Sequence, residues 1–207
     1  IGSGFGGLAA GLRAKAKGYN VTLYEKGNQL GGRARVFEYK GYRHDAGPTV
    51  ITAPQLLEEL FSLFGKSLSD YIELKELSLW YRFVYPDGSH FNYGKDLSQT
   101  LEQISHMEPT DVEGYKNLLK KSEDIFKVGF DLLATKPFDR FSFMAAQIPC
   151  MIKLKAYQTV WRLVSSHLKN NKLRQAFSIQ PLLVGGNPFN TTSIYSLIHY
   201  LERKWGV

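Results

Sequence analysis

With one cysteine in 207 residues, Cys150, the chain can form no internal disulfide, which fits a reducing compartment. The plainest role for that thiol is a small buried hydrophobe. The five histidines, His44, His90, His106, His167 and His199, fall at no metal-ligand spacing, and no second cysteine joins them, so the sequence offers no metal site. Long apolar runs are missing as well: residues 141–152 give roughly a dozen uncharged positions where a membrane span needs about twenty. There is no Gly-x-Ser-x-Gly elbow and no legible triad, which leaves hydrolase chemistry unsupported. Internal repeats and low-complexity segments are absent. Acidic residues are the scarcer charge, 19 against 26 Lys and Arg, for a net charge of +7 and a pI near 9.3. That balance admits an anionic partner, either nucleic acid or a lipid surface, but no nucleic-acid motif accompanies it.

What is present begins at the first residue. Ile1-Gly2-Ser3-Gly4-Phe5-Gly6-Gly7 contains Gly2-x-Gly4-x-x-Gly7 and runs straight into a helical pattern. The first glycine suits a tight turn off a strand, the second lets backbone touch a pyrophosphate, and the third permits close helix packing. A phosphate would then meet N–H groups at the positive end of a helix dipole. Taken alone this pattern is weak. Val21 to Glu25 adds a second strand of a βαβ unit, ending in an acid placed to hydrogen-bond ribose hydroxyls, with no arginine beside it to favour a 2′-phosphate. Gly31-Gly32-Arg33 adds a second glycine pair and a fixed cation suited to a diphosphate. The expected nucleotide site is therefore Gly2, Ser3, Gly4, Phe5, Gly6, Gly7, Glu25, Gly31, Gly32 and Arg33.

These residues, with Asp45-Ala46-Gly47-Pro48-Thr49-Val50-Ile51-Thr52, resemble the N-terminal half of a bacterial phytoene desaturase, one of the FAD-dependent carotenoid desaturases of the amine-oxidase-like flavoproteins. The similarity continues through Tyr85-Pro86-Asp87-Gly88, Asp111-Val112-Glu113-Gly114-Tyr115, residues 173–178, residues 185–195 and residues 201–207, nearly the whole chain. The glycine motifs are shared by many flavoproteins, whereas the last two segments are particular to the carotenoid enzymes. The resemblance implies FAD as cofactor, a linear carotenoid precursor such as phytoene as substrate, and Gly47 and Thr49 near the isoalloxazine ring. It also implies a protein peripheral to the inner, cytoplasmic face of the membrane. Other readings are a flavin oxidase or desaturase of another isoprenoid or an amine, and a non-catalytic prenyl-lipid binder of the same architecture, such as the GDP dissociation inhibitors. No metal is expected and nothing sets an oligomeric state. No acid or base stands out, since residues 138–146 carry few charges; Asp139 and Arg140 are the available ones.

The expected fold is α/β: a doubly wound, Rossmann-like FAD-binding domain with an inserted mixed-sheet and helical substrate domain, incomplete at both ends. Ile1 is not a start residue and leaves no room for the usual first strand, so the chain reads as a fragment of a longer enzyme. Residues 1–70 are assigned to the flavin domain and 71–207 to the substrate-facing and membrane-facing one. In order, the pattern predicts a helix over residues 8–17 covering a parallel sheet, a hairpin of residues 35–39 and 42–45 turning at Lys40-Gly41, and a helix opening at Pro54 and stopping at Gly65. Strands follow over residues 72–77, 80–85 and 90–93. Thr110-Asp111-Val112-Glu113 has the form of a capping box opening an amphipathic stretch toward Leu133. Residues 141–168 are apolar and aromatic, interrupted by Pro149 and bordered by Lys136, Arg140, Lys153, Lys155, Arg162 and Lys169. They could be core or a membrane-docking surface. A final helix runs from about Thr191.

Overall fold

Ala, Leu, Arg and Lys follow the glycines, all strong helix formers, and they make α1 (Phe5–Ala16). It ends where Gly18 takes a positive φ of 88°. The computed structural model describes residues 1–47, 50–134, 136–137 and 139–207, and these fall into two units, residues 1–76 with Val207 and residues 77–206.

In the first unit the expected hairpin forms: β1 (Val36–Tyr39) pairs antiparallel with β2 (Tyr42–Asp45), Val36 opposite Asp45 and Tyr39 opposite Tyr42. Lys40 and Gly41 both have positive φ, 50° and 80°, the twist that matches a two-residue hairpin. Pro54 opens α2 (Pro54–Ser62) as expected. Two expected strands are not formed. Residues 21–25 and 72–77 carry no regular secondary structure and are largely exposed, with no ladder assigned. A strand is defined by its neighbour, and among the described residues the backbone-to-backbone bond that residues 21–25 find is the one from Gly2 N–H to Tyr24 O, 2.8 Å. The parallel sheet is thus reduced, among the described residues, to one parallel bridge between Gly4 and Gly31.

The second unit is built on β3 (Leu79–Val84) and β4 (His90–Gly94), an antiparallel pair turning at residues 86–88. Their inner face carries Trp80, Phe91 and Tyr93, all buried. Phe177 is the hub beneath them, edge-on to Phe91 at 5.5 Å and Tyr93 at 5.4 Å and stacked on Tyr115 at 4.5 Å. Around this hub lie α3 (Leu97–Met107), α4 (Asp111–Phe126), which continues as a π-helical turn over Lys127–Leu132, α5 (Phe141–Ala146), α6 (Ile148–Lys153), α7 (Val160–His167), α8 (Asn171–Ala176) and α9 (Leu197–Trp205).

Capping was only partly readable. Asp96 accepts from Ser98 and Gln99 N–H and starts α3, and Asn170 does the same for α8 from Lys172 and Leu173 N–H. The expected box at Thr110 does not form: its hydroxyl donates to Glu108 Oε1 at 2.8 Å, and no side chain caps α4. Asp111, buried at that helix start, spends its carboxylate on Lys169 N–H (2.7 Å) and Asn170 N–H (2.8 Å). Three residues on, Gly114 lies so close to the His167 carbonyl that a Cβ would overlap it. The N-terminal turn of α4 is therefore fastened to the end of α7.

Candidate functional site

In the first unit the glycine turn sits between two other pieces of backbone. Gly2 donates to Tyr24 O on one side, and Gly31 donates to Ser3 O at 2.9 Å on the other. The approach is close enough to dictate residue type. A Cβ on Gly7 would overlap the Gly2 carbonyl, and one on Gly32 would stand 3.0 Å from Gly4 Cα. Gly2, Gly31 and Gly32 also have positive φ, at 89°, 101° and 59°. Gly47 packs on the loop that carries Arg33, where a Cβ would meet Ala34 Cα at 2.9 Å. Gly6 has open space around its missing Cβ, so its side chain is not excluded.

Glu25 reaches into this turn. Ser3 donates to its Oε2 twice, from N–H at 2.7 Å and from the hydroxyl at 2.6 Å, and Gly27 N–H donates to Oε1 at 2.8 Å. The Ser3 hydroxyl first, then the Gly27 and Ser3 N–H groups, hold the carboxyl down at about 2, so it is ionised throughout the physiological range. Three donors hold the carboxylate at 2.6 to 2.8 Å, and the Lys26 N–H adds a weaker pull. Ser3 is fully buried.

The structure thus brings Gly2, Ser3, Gly4, Gly7, Glu25, Gly31 and Gly32 together, with Gly47 against the Arg33 loop. Phe5 is exposed at the first position of α1, and Arg33 is exposed in a short 3-10 turn (Gly32–Ala34). Thr49 lies outside the described residues. Gly27, two positions beyond Glu25, was missed in the sequence; only its spacing after the acid could have pointed to it. These residues fit a dinucleotide: α1 begins at an uncapped glycine, its N-terminal N–H groups lie beside side-chain-free backbone, and an ionised acid stands next to them.

The second unit holds a polar interior that the sequence did not reveal. Arg203 donates to Gly94 O (2.7 Å), Lys95 O (3.1 Å), Thr100 Oγ1 (3.1 Å) and Tyr115 OH (3.2 Å), and its guanidinium stacks on Trp80 and Tyr93. Glu202 beside it is fully buried and accepts from Tyr81 OH at 2.9 Å, while its other oxygen finds no partner among the described residues. Burial pushes its carboxyl up to about 7, against the opposing pull of the Tyr81 hydroxyl and Arg203. Burial likewise lowers His199 to about 4. Its ring lies between Phe177 O, 2.9 Å from Nε2, and the Gln180 amide, 3.0 Å from Nδ1, an arrangement that suits the neutral imidazole. Among the described residues no cluster of His, Cys, Asp or Glu could hold a metal, and Asp139 and Arg140 are both exposed.

Comparison with known proteins bears on both units. The NAD(P)-binding Rossmann-like domain family matches residues 1–66. All 207 residues align with the lycopene-forming phytoene desaturase of Pantoea ananas at 49% identity, with that of Pseudescherichia vulneris at 45%, and with that of a Paracoccus species at 44%. In each case the whole chain is covered, against 42%, 42% and 41% of the relative, so the chain spans about two-fifths of their length.

Proposed function

We propose that this chain, kin along its full length to bacterial phytoene desaturases, carries the nucleotide-holding turn and part of the substrate-facing region of an FAD-dependent carotenoid desaturase. The observation that carries the cofactor half is the side-chain-free seat made by Gly2, Gly4, Gly7 and Gly32, with ionised Glu25 beside it. Backbone N–H groups at the start of α1 would face the pyrophosphate, and Arg33 would add a cation. Glu25 would accept from a ribose hydroxyl. Gly47, held against the Arg33 loop, would lie toward the isoalloxazine ring. When bound, FAD supplies a hydride acceptor, so that a saturated pair of carbons in a linear carotenoid precursor can become a double bond.

Residues 71–207 would form part of an inserted domain that meets the substrate and the membrane. A polyene precursor loses on the order of 0.8 kcal/mol per CH₂ on passing from lipid to water, which favours an enzyme that collects it at the bilayer. The chain has the means for this. Phe141, Ile148, Ile152 and Tyr157 are exposed along a stretch that also carries Arg140, Lys153 and Lys155. Among the described residues no helix is long and apolar enough to cross a membrane, so the attachment proposed is peripheral, at the inner face. Each cation near an anionic headgroup contributes about 1 kcal/mol.

The test is the complete gene product loaded with FAD and mixed with phytoene in liposomes, read by visible absorption of the extracted lipid. A red-shifted, structured polyene band is expected. A colourless extract from protein that holds flavin would assign another substrate; absence of flavin would overturn the cofactor assignment itself. Flotation with liposomes checks the membrane half, with binding expected to rise with anionic lipid content.

A further inference from the structure

The helical unit contains a cavity of about 480 Å³, within the range of small-molecule sites. Its floor is firm: Ile125 and Leu154 are buried, and Ile194 lines it with them. Its wall is adaptable, because it is made partly by Met144 of α5 and Met151 of α6, unbranched side chains that re-pack around different shapes. The space exists for a structural reason. Here α4 passes into its π-helical turn, and Val128 and Gly129 of that turn line the space. Facing it, α5 and α6 are only six residues each and bury none of their side chains fully. Among the described residues the polar side chains lining the space are Lys136 and Gln147; Lys136 is exposed, and the Gln147 amide donates to Phe143 O at 3.3 Å.

An apolar interior with an ammonium on its lining is complementary to one class of molecule. We propose that this cavity binds the hydrocarbon chain of an anionic amphiphile, tail inward among Ile125, Leu154 and the methionines, with its carboxylate or phosphate against Lys136. Arg140, Lys153 and Lys155 lie in the same stretch, so the surroundings are cationic beyond the one contact. Asp139 is an acid exposed in the same segment. Lys121 Nζ donates to Lys153 O at 3.3 Å, which ties the end of α6 back to α4 and holds the cavity's two sides together without filling it. This site is separate from the nucleotide turn and needs no flavin, so it stands or falls independently of the desaturase reading.

The test titrates the full-length protein with oleate below its micellar concentration, by calorimetry, with oleyl alcohol as the neutral chain of equal length. Saturable binding of one oleate is expected, and the alcohol should bind roughly three- to fivefold more weakly for want of a charge pair. Lys136→Glu should lose about the same factor for oleate and nothing for the alcohol. Met144→Trp, at a half-exposed position that tolerates bulk, and Val128→Phe, on the inner wall, should each abolish binding of both ligands while leaving the circular dichroism spectrum unchanged; either one folding normally suffices. A parallel arm with phosphatidylglycerol vesicles separates the two sources of such a chain. If the filled variants bind vesicles less well than the native protein, a bilayer lipid enters the cavity; if they lose oleate alone, the ligand is a free fatty acid. Equal affinity for oleate and oleyl alcohol, indifference to Lys136→Glu, or no saturable binding at all would overturn the proposal.

Discussion

The two units reach defined geometry by opposite means. In residues 1–76 only Ser3 and Leu68 are buried among the described residues, while Leu23, Phe37, Val50 and Leu56 are exposed. Yet the nucleotide turn there is closely specified, because exclusion of atoms and short hydrogen bonds act over a few ångströms and need no core. In residues 77–206 the reverse holds: Phe91, Tyr93, Tyr115 and Phe177 interlock, and geometry follows from filled volume. The first unit should therefore be broken by adding atoms, and the second by removing them.

The largest effect belongs to removal. Phe177→Ala takes out the hub under β3 and β4 and should cost about 3–5 kcal/mol. All three tryptophans, Trp80, Trp161 and Trp205, lie in the second unit, so their fluorescence during urea unfolding reports this loss without interference from the first. A loss under 1 kcal/mol would mean that the aromatic hub does not organise the unit.

Next comes charge. Glu202 is raised to about 7 from 4.5 and His199 is lowered to about 4 from 6.5. For Glu202 the folded state holds its proton more tightly than the unfolded one, so stability present below pH 4.5 is lost as pH rises toward 7. For His199 the sign is opposite: stability present above pH 6.5 is lost as pH falls toward 4. Glu202→Gln should then stabilise the second unit at pH 8 by up to about 3 kcal/mol and do little at pH 4. Equal effects at both pH values would show that the carboxyl titrates normally.

Addition of atoms is tested by a pair of changes one residue apart. If the turn holds FAD as proposed, Gly7→Ala should weaken that binding by at least a hundredfold, about 2.7 kcal/mol, because the new methyl group overlaps the Gly2 carbonyl. Gly6→Ala has open space and lies within α1, so it should keep FAD affinity and raise helix stability by about 0.5–1 kcal/mol. Flavin fluorescence quenching reads both. If the two variants behave alike, the turn is not specified by atom exclusion and the contrast between the units fails.

What was legible in the sequence follows the same division. The Gly2 to Gly7 turn and the Lys40-Gly41 hairpin could be read because their constraints are local: a glycine spacing, a pair of positive φ angles. Residues 21–25 and 72–77 have strand composition but no ladder, since composition cannot say whether a neighbour will be there to pair. Thr110 carried the letters of a capping box, and the structure spends them elsewhere. The Tyr81 to Glu202 hydrogen bond spans 121 positions, beyond any periodicity. The cavity beside α5 and α6 was least visible of all, being a place where packing stops.

The Asp111 fastening carries a consequence in time as well as space. Its carboxylate closes on backbone N–H groups 58 and 59 residues further along. During synthesis at about 5–20 residues per second, that is a wait of roughly 3–12 s in which α4 exists without its anchor and with a buried-to-be carboxylate still in water. The corner it makes with α7 and α8 is a late event by construction. A nascent chain paused before Lys169 would present an unfinished helical unit, with the Tyr115 face of α4 open to whatever apolar surface or chaperone stands nearest.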